Sequence, residues 1–269
     1  MTPRQTGPRV GDHATGHLVG DRLYVARSSR IHDLPAKVKL VVALATVFLI
    51  VLTPPEAMWA FFVYFALLVT VLAMANIKMV RVLPRFIVEV PFVVFAVLMP
   101  FIGQGPRLEV GPVLLSEAGL WSAWGLLAKA TLGLFVSIIL AATTTMSDLV
   151  EGLHQLKFPS LIVAILTSMI RYVNVVTDEA GRMSRARAAR GFSGKGPRSW
   201  PILAHSLGTL FIRSYERGER VHIAMLSRGY TGELPQLGQG RTVAPATWAA
   251  AALLPALVLT VCLTAVLTQ

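Results

Sequence analysis

Long apolar runs separated by short polar joints set the pattern of this chain. A helix needs about 20 apolar residues to cross the hydrocarbon core of a bilayer. The first run covers residues 40–53, lengthened by the lead-in 36–39, and Pro54-Pro55 closes it. Proline cannot continue a helix past its first turn. Further runs cover 57–77, 86–102, 120–146 and 247–267. Glu89, Pro91 and Pro100 lie in or at the edges of the third run, and the fourth is longer than a bilayer requires. These five runs predict an all-α polytopic membrane protein with about five transmembrane helices.

The remaining sequence is polar or mixed. Residues 178–230 are rich in Ala, Arg, Met, Leu and Glu, which favour helices. Gly191 and Gly229 are natural helix stops, because glycine tolerates the left-handed conformation just past a helix end. The string Gly-Lys-Gly-Pro-Arg-Ser-Trp-Pro at 194–201 separates two helical stretches, the second over 202–228. The organisation expected is a tail over 1–36, four membrane helices over 37–146, a cytoplasmic helical region over 147–243 and a last membrane helix over 244–269.

Composition supports a lipid-embedded chain. Of the 269 residues 54% are hydrophobic and 14% charged, against roughly 25% charged in soluble domains. Mean hydropathy is +0.63. The single cysteine, Cys262, sits in the last apolar run, so neither a disulfide framework nor a cysteine-based metal site is expected. Residues 1–36 are polar and basic with no apolar segment before Leu40, unlike a signal peptide.

Charge then orients the spans. There are 25 Lys and Arg against 14 Asp and Glu, and ten of those 25 lie between Arg182 and Arg228. The tail, the loop at 78–85 and the region 182–241 are positive, whereas the loops at 54–56 and 103–117 hold one basic residue, Arg107. Cytoplasmic loops are enriched in Lys and Arg. The N-terminus is therefore expected inside and the C-terminus outside. The apolar stretch 160–176 is short and interrupted by Arg171. A sixth crossing there would export ten basic residues, so it is expected to be embedded among the helices or near the cytoplasmic interface.

Two short strings in the basic region look alike: Ala189-Arg190-Gly191 and Ser227-Arg228-Gly229, with their arginines 38 residues apart. At helical spacing Met183, Ala186, Arg187 and Arg190 share one face, as do Val221, Ala224, Met225 and Arg228. Each face is an apolar stripe tipped by arginine. A plain account of either string is a cation favouring a helix C-terminus by about 0.3–1 kcal/mol, followed by a helix-stopping glycine. The paired occurrence favours docking of two helix ends into apolar clefts, where Met repacks readily and a guanidinium grips a carboxylate with two hydrogen bonds. Two such ends suit a partner made of two like subunits.

These strings resemble the paired Ala-Arg-Gly motifs of the transmembrane T component of energy-coupling factor (ECF) transporters. The flanks are similar too: Arg171-Tyr172, Asp178-Glu179-Ala180 and Arg182-Met183 before the first, and Arg213-Ser214-Tyr215-Glu216-Arg217 and Glu219-Arg220-Val221 before the second. The likeness is to the cobalt/nickel, CbiQ-like branch and covers roughly residues 31–235. Ser227 stands where Ala is commoner.

The resemblance implies a non-catalytic subunit in a prokaryotic plasma membrane. It implies two cytoplasmic ATP-binding cassette subunits as partners, which use ATP and Mg, and a membrane S component that captures the metal. Arg190 and Arg228 would be the docking residues, with Ala189, Gly191, Ser227 and Gly229 completing the motifs.

The remaining candidates are weaker. His13 and His17, near Asp12 and Asp21, lie in a Gly-rich tail and are read as solvated, so no metal or cofactor is expected on this chain. Glu89 and Lys129 lie in or near spans, where ionisable groups are costly and often functional; both are read as interfacial or snorkelling. No phosphate-binding Gly-x-x-x-x-Gly-Lys-Ser/Thr string occurs. A membrane transferase would need acidic clusters at helix ends, and Asp178-Glu179 is the only adjacent acidic pair. Phe192, Trp200, Phe211, Tyr215 and Tyr230 are too dispersed for a nucleic-acid stacking platform, so no nucleic-acid partner is expected.

Overall fold

The computed structural model describes residues 31–32, 34–77, 83–103, 107–110, 113–192, 196, 199–232 and 244–268. His13, His17 and Lys195 lie outside the described residues. The helices are α1 (Ala36–Leu52), α2 (Met58–Met74), α3 (Val90–Ile102), α4 (Glu117–Thr143), α5 (Met146–Gln155), α6 (Ser160–Ala189), α7 (Trp200–Leu226) and α8 (Pro245–Leu267). A 3-10 segment, Leu83–Glu89, leads into α3. Between α3 and α4 lie two four-residue strands, β1 (Arg107–Val110) and β2 (Val113–Ser116). They pair antiparallel, with Arg107 opposite Ser116 and Val110 opposite Val113.

Four stretches are long and apolar enough to cross a membrane: Pro84–Ile102, Glu117–Thr143, Ser160–Ala189 and Pro245–Leu267. The shorter apolar helix α2 joins them, and the chain is a multi-pass membrane protein. Three of the four long stretches coincide with expected spans and α2 with a further one, while the first expected run forms the 17-residue α1, which is not among them. The stretch 160–176 is the surprise. It is not a separate piece but the first half of the continuous 30-residue α6. Its first 18 residues, 160–177, carry Arg171 as their one charge.

The described residues form two compact units. The first holds residues up to Val163 together with α8. Its core runs from Ile50 through Phe61, Tyr64 and Leu68 of α2 to Leu132, Phe135 and Val136 of α4 and Val258 of α8. Phe135 stacks edge-on against Phe65 and Phe86, with ring centroids 5.4 and 5.7 Å away. Aromatic pairs favour such edge-to-face geometry. Among its neighbours, α3 buries only Ala96 and Pro100. Phe92, Phe95, Val97 and Phe101 point outward, as suits a lipid-facing helix.

Several buried polar groups in this unit find protein partners, which matters where water is absent. Thr53 closes α1; its hydroxyl bonds Leu49 O at 3.0 Å and the Tyr64 hydroxyl at 3.0 Å, and Tyr64 reaches Val258 O of α8 at 3.4 Å. Lys39, 9% exposed, donates to Thr143 O at 2.8 Å and His32 O at 3.0 Å. It thereby satisfies a carbonyl that α4 leaves open at its C-terminus. Ser116 and Thr145 cap α4 and α5 by accepting from Gly119 N at 3.3 Å and Asp148 N at 3.1 Å.

Glu89 departs from the interfacial reading: it is buried at 7% exposure and accepts a short hydrogen bond from Thr131 of α4. Lys129 is half-buried and donates to Val51 O at the end of α1, at 2.8 Å.

The second unit begins at Ala164 and contains the rest of α6 and all of α7. Helix α5 belongs to the first unit, where it packs on α1: a Cβ added at Gly152 would meet Lys37 N at 3.0 Å and the Ala36 carbonyl carbon at 3.2 Å. In the second unit α7 buries no residue at all.

Candidate functional site

Both arginine strings sit at helix ends, and the two ends share one backbone design. Gly191 and Gly229 each adopt φ +81°, in the left-handed region. At the first end, Phe192 N donates to Arg187 O at 3.1 Å and Gly191 N to Ala188 O at 3.0 Å. At the second, Tyr230 N donates to Met225 O at 3.1 Å and Gly229 N to Leu226 O at 3.0 Å. This is the Schellman ending, which satisfies two of the carbonyls a helix leaves open. Arg190 and Arg228 therefore occupy the same position, the last residue before the reversing glycine.

That position presents them outward. Arg190, Arg228, Ala186 and Ala224 are exposed, whereas Met183, Arg187, Val221 and Met225 are half-buried. Along each face burial alternates the same way: a half-buried residue, an exposed alanine, a second half-buried residue and then the exposed arginine. Among the described residues neither Arg190 nor Arg228 takes part in an ion pair. Ala189, Ser227 and both glycines are exposed beside them, and the Ser227 hydroxyl is turned back onto Ile223 O at 3.0 Å.

Phe192 and Tyr230 were missed by the reading of spacing alone. Each follows the reversing glycine and is half-buried. The Arg187 guanidinium lies over the Phe192 ring at 5.9 Å, a cation–π contact that holds the aromatic against the last turn. The signal was present as Arg-Gly-aromatic occurring twice, at 190–192 and 228–230.

Among the described residues no group of three or more His, Cys, Asp or Glu side chains is placed to hold a metal ion. Cys262 is a free, buried thiol. The arrangement is thus a pair of matched, cationic helix ends on a membrane protein, suited to recognition.

The cobalt transport protein family, CbiQ, matches residues 27–237, and the chain belongs to that family. It is a transmembrane T component of the ECF transporter class. It is 24% identical over 231 residues to the energy-coupling factor transporter transmembrane protein EcfT of Bacillus subtilis, covering 81% of this chain and 85% of that one. It is 27% identical over 140 residues to the cobalt transport protein CbiQ of Rhodobacter capsulatus, covering 51% and 57%. An uncharacterized protein of Methanocaldococcus jannaschii is 27% identical over 173 residues, and the chain spans 59% of its length.

Proposed function

We propose that the chain couples ATP hydrolysis by two cytoplasmic ATPase subunits to the movement of a membrane partner that captures substrate. Arg190 and Arg228 are the docking residues. The observation that carries this reading is the pair of matched helix ends, each with an exposed arginine before a glycine at φ +81°. Two like ends fit a partner with two like clefts. Each guanidinium meets a carboxylate in its cleft, and the charge-assisted pair supplies direction as well as attraction. The subunit itself is non-catalytic; it binds no cofactor, and ATP and Mg belong to the ATPases. Both helix ends face the cytoplasm of a prokaryotic cell, in keeping with the ten basic residues between Arg182 and Arg228.

Cobalt is the proposed cargo, captured by the partner rather than by this chain. The match to the cobalt transport family over residues 27–237 supports it. A second reading, service to substrates other than cobalt, is favoured by the longer alignment with EcfT: 81% of this chain against 51% for the CbiQ relative.

The test replaces Arg190 and Arg228 together by Glu in the complex reconstituted in vesicles. Substrate-coupled ATPase activity is expected to vanish while the subunit still inserts and purifies. Undiminished coupling rejects the proposal.

A further inference from the structure

The second unit has little apolar packing to set the crossing of its two helices. α7 buries no residue, and Leu207, Phe211 and Tyr215 along it are more than 60% exposed. Among the described residues an ionic contact joins α6 to α7. Glu179 of α6 accepts from Arg213 of α7, Oε1 to Nη1 at 2.7 Å. Its other oxygen accepts from Arg182, one turn further along α6, at 2.5 Å. The Glu179 side chain is only 16% exposed, whereas the two arginines are 58% and 56% exposed.

We propose that Glu179 is a positioning residue: a shared carboxylate that pins α7 to α6 through Arg213 and so sets the separation of the two arginine tips. The inference rests on the docking role given to those tips and adds the element that keeps them in register with two clefts.

The geometry explains why such a pin matters. Eleven residues separate Glu179 from Arg190 and fifteen separate Arg213 from Arg228. At 1.5 Å per residue the arms are about 16 and about 22 Å long. A tilt of about 10° at the crossing would carry the tips by about 3 and about 4 Å over those arms. That displacement is comparable to a hydrogen-bond length, so it decides whether a guanidinium meets its carboxylate.

Exposed ion pairs are weak singly. Here one carboxylate serves two arginines, and Arg182 holds it in place on its own helix. The hydrogen bonds from Arg182 and Arg213 keep the Glu179 carboxyl below the usual carboxylate range. The pin orients without locking: it is strong enough to select an angle and weak enough to yield when the ATPases move. Screening by salt should loosen it.

The test measures the tip separation directly. Spin labels go on the exposed positions Ser184 and His222, each changed to Cys, with the buried Cys262 replaced by Ala. The full chain is studied in lipid nanodiscs by pulsed electron–electron resonance, without ATPases. The unsubstituted crossing is expected to give a single narrow distance peak. Glu179→Gln and Arg213→Ala should each lose that peak in favour of a broad distribution. Arg182→Ala acts within one helix and should largely keep it. The exchange Glu179→Arg with Arg213→Glu should restore it.

A peak retained in Glu179→Gln and Arg213→Ala overturns the proposal. So does equal broadening in Arg182→Ala, or an exchange that fails to restore the peak. Because no ATPase is present, this outcome stands apart from the fate of the docking reading, which is judged on Arg190 and Arg228.

Discussion

Replacing Gly191 or Gly229 by Ala probes whether the shape of the helix ends matters, separately from their charge. Both glycines sit at φ +81°, and a Cβ built on either meets nothing within 4 Å. The cost is therefore purely conformational. An L-residue in the left-handed region loses roughly 1–2 kcal/mol. Ala also gains up to about 1 kcal/mol over Gly if the helix simply continues. Both effects push the same way, against the reversing turn. The bonds from Phe192 N to Arg187 O and from Tyr230 N to Met225 O, each 3.1 Å, would give way. A shift of one to two kcal/mol changes a two-state ratio by a factor of about 5–30. Apparent affinity for the ATPase pair, measured by titrating ATPases onto the subunit in nanodiscs, should fall by that factor for either variant. Gly→Asn at the same sites should cost less, because Asn tolerates the left-handed region. Wild-type affinity in both Ala variants would show that the Schellman ending is incidental and only the charge counts.

Two further outcomes follow from other parts of the chain. At Gly119→Ala the new Cβ would lie 2.5 Å from Met99 O and 2.8 Å from Pro100 Cα, both backbone atoms of α3; forcing the helices apart should cost about 1–3 kcal/mol and lower the melting temperature in detergent, whereas Gly133→Ala, inside α4 with nothing within 4 Å, should hold or slightly raise it, because Ala favours a helix interior. The Glu179 carboxyl, lowered by its bonds to Arg182 and Arg213, is ionised throughout the neutral range, so its contribution is present above the ordinary Glu value of about 4.3 and is lost as pH falls through the lowered one. The label separation across α6 and α7 should stay constant from about pH 8 to pH 5, and a change within that window would mean another group controls the crossing.

The membrane helices were legible because nothing but long apolar runs makes them. α3, α4 and α8 fall where runs 86–102, 120–146 and 247–267 predicted, and Pro54-Pro55 ends α1 close to where proline must. Tertiary choices were not legible. The hairpin over 107–116 looked like loop because each strand is only four residues, too short to show alternation. Arg171 was read as interrupting the stretch 160–176, yet α6 runs straight through it; a single charge does not end a helix, and the residues that do, Gly191 and Pro159, lie at its margins. Glu89 looked interfacial by depth, yet Thr131, 42 residues away, draws it into the packing. Likewise the bond between Glu179 and Arg213 spans 34 residues, with no local signature.

Equal backbones do not make the two tips equal partners. At the position beneath the aromatic, the first end has Arg187 and the second Met225. Arg187 lies over Phe192 and is half-buried, so its charge is partly committed within the end. Still, two guanidiniums cluster at the first tip, Arg187 and Arg190, against Arg228 alone at the second. Electrostatic attraction should therefore guide the first tip more strongly and be screened more by salt. The second tip, where Tyr230 N bonds Met225 O, offers apolar groups whose contacts salt does not weaken. On the proposed docking, two like clefts would meet two different ends, one engaged chiefly by charge and the other chiefly by packing.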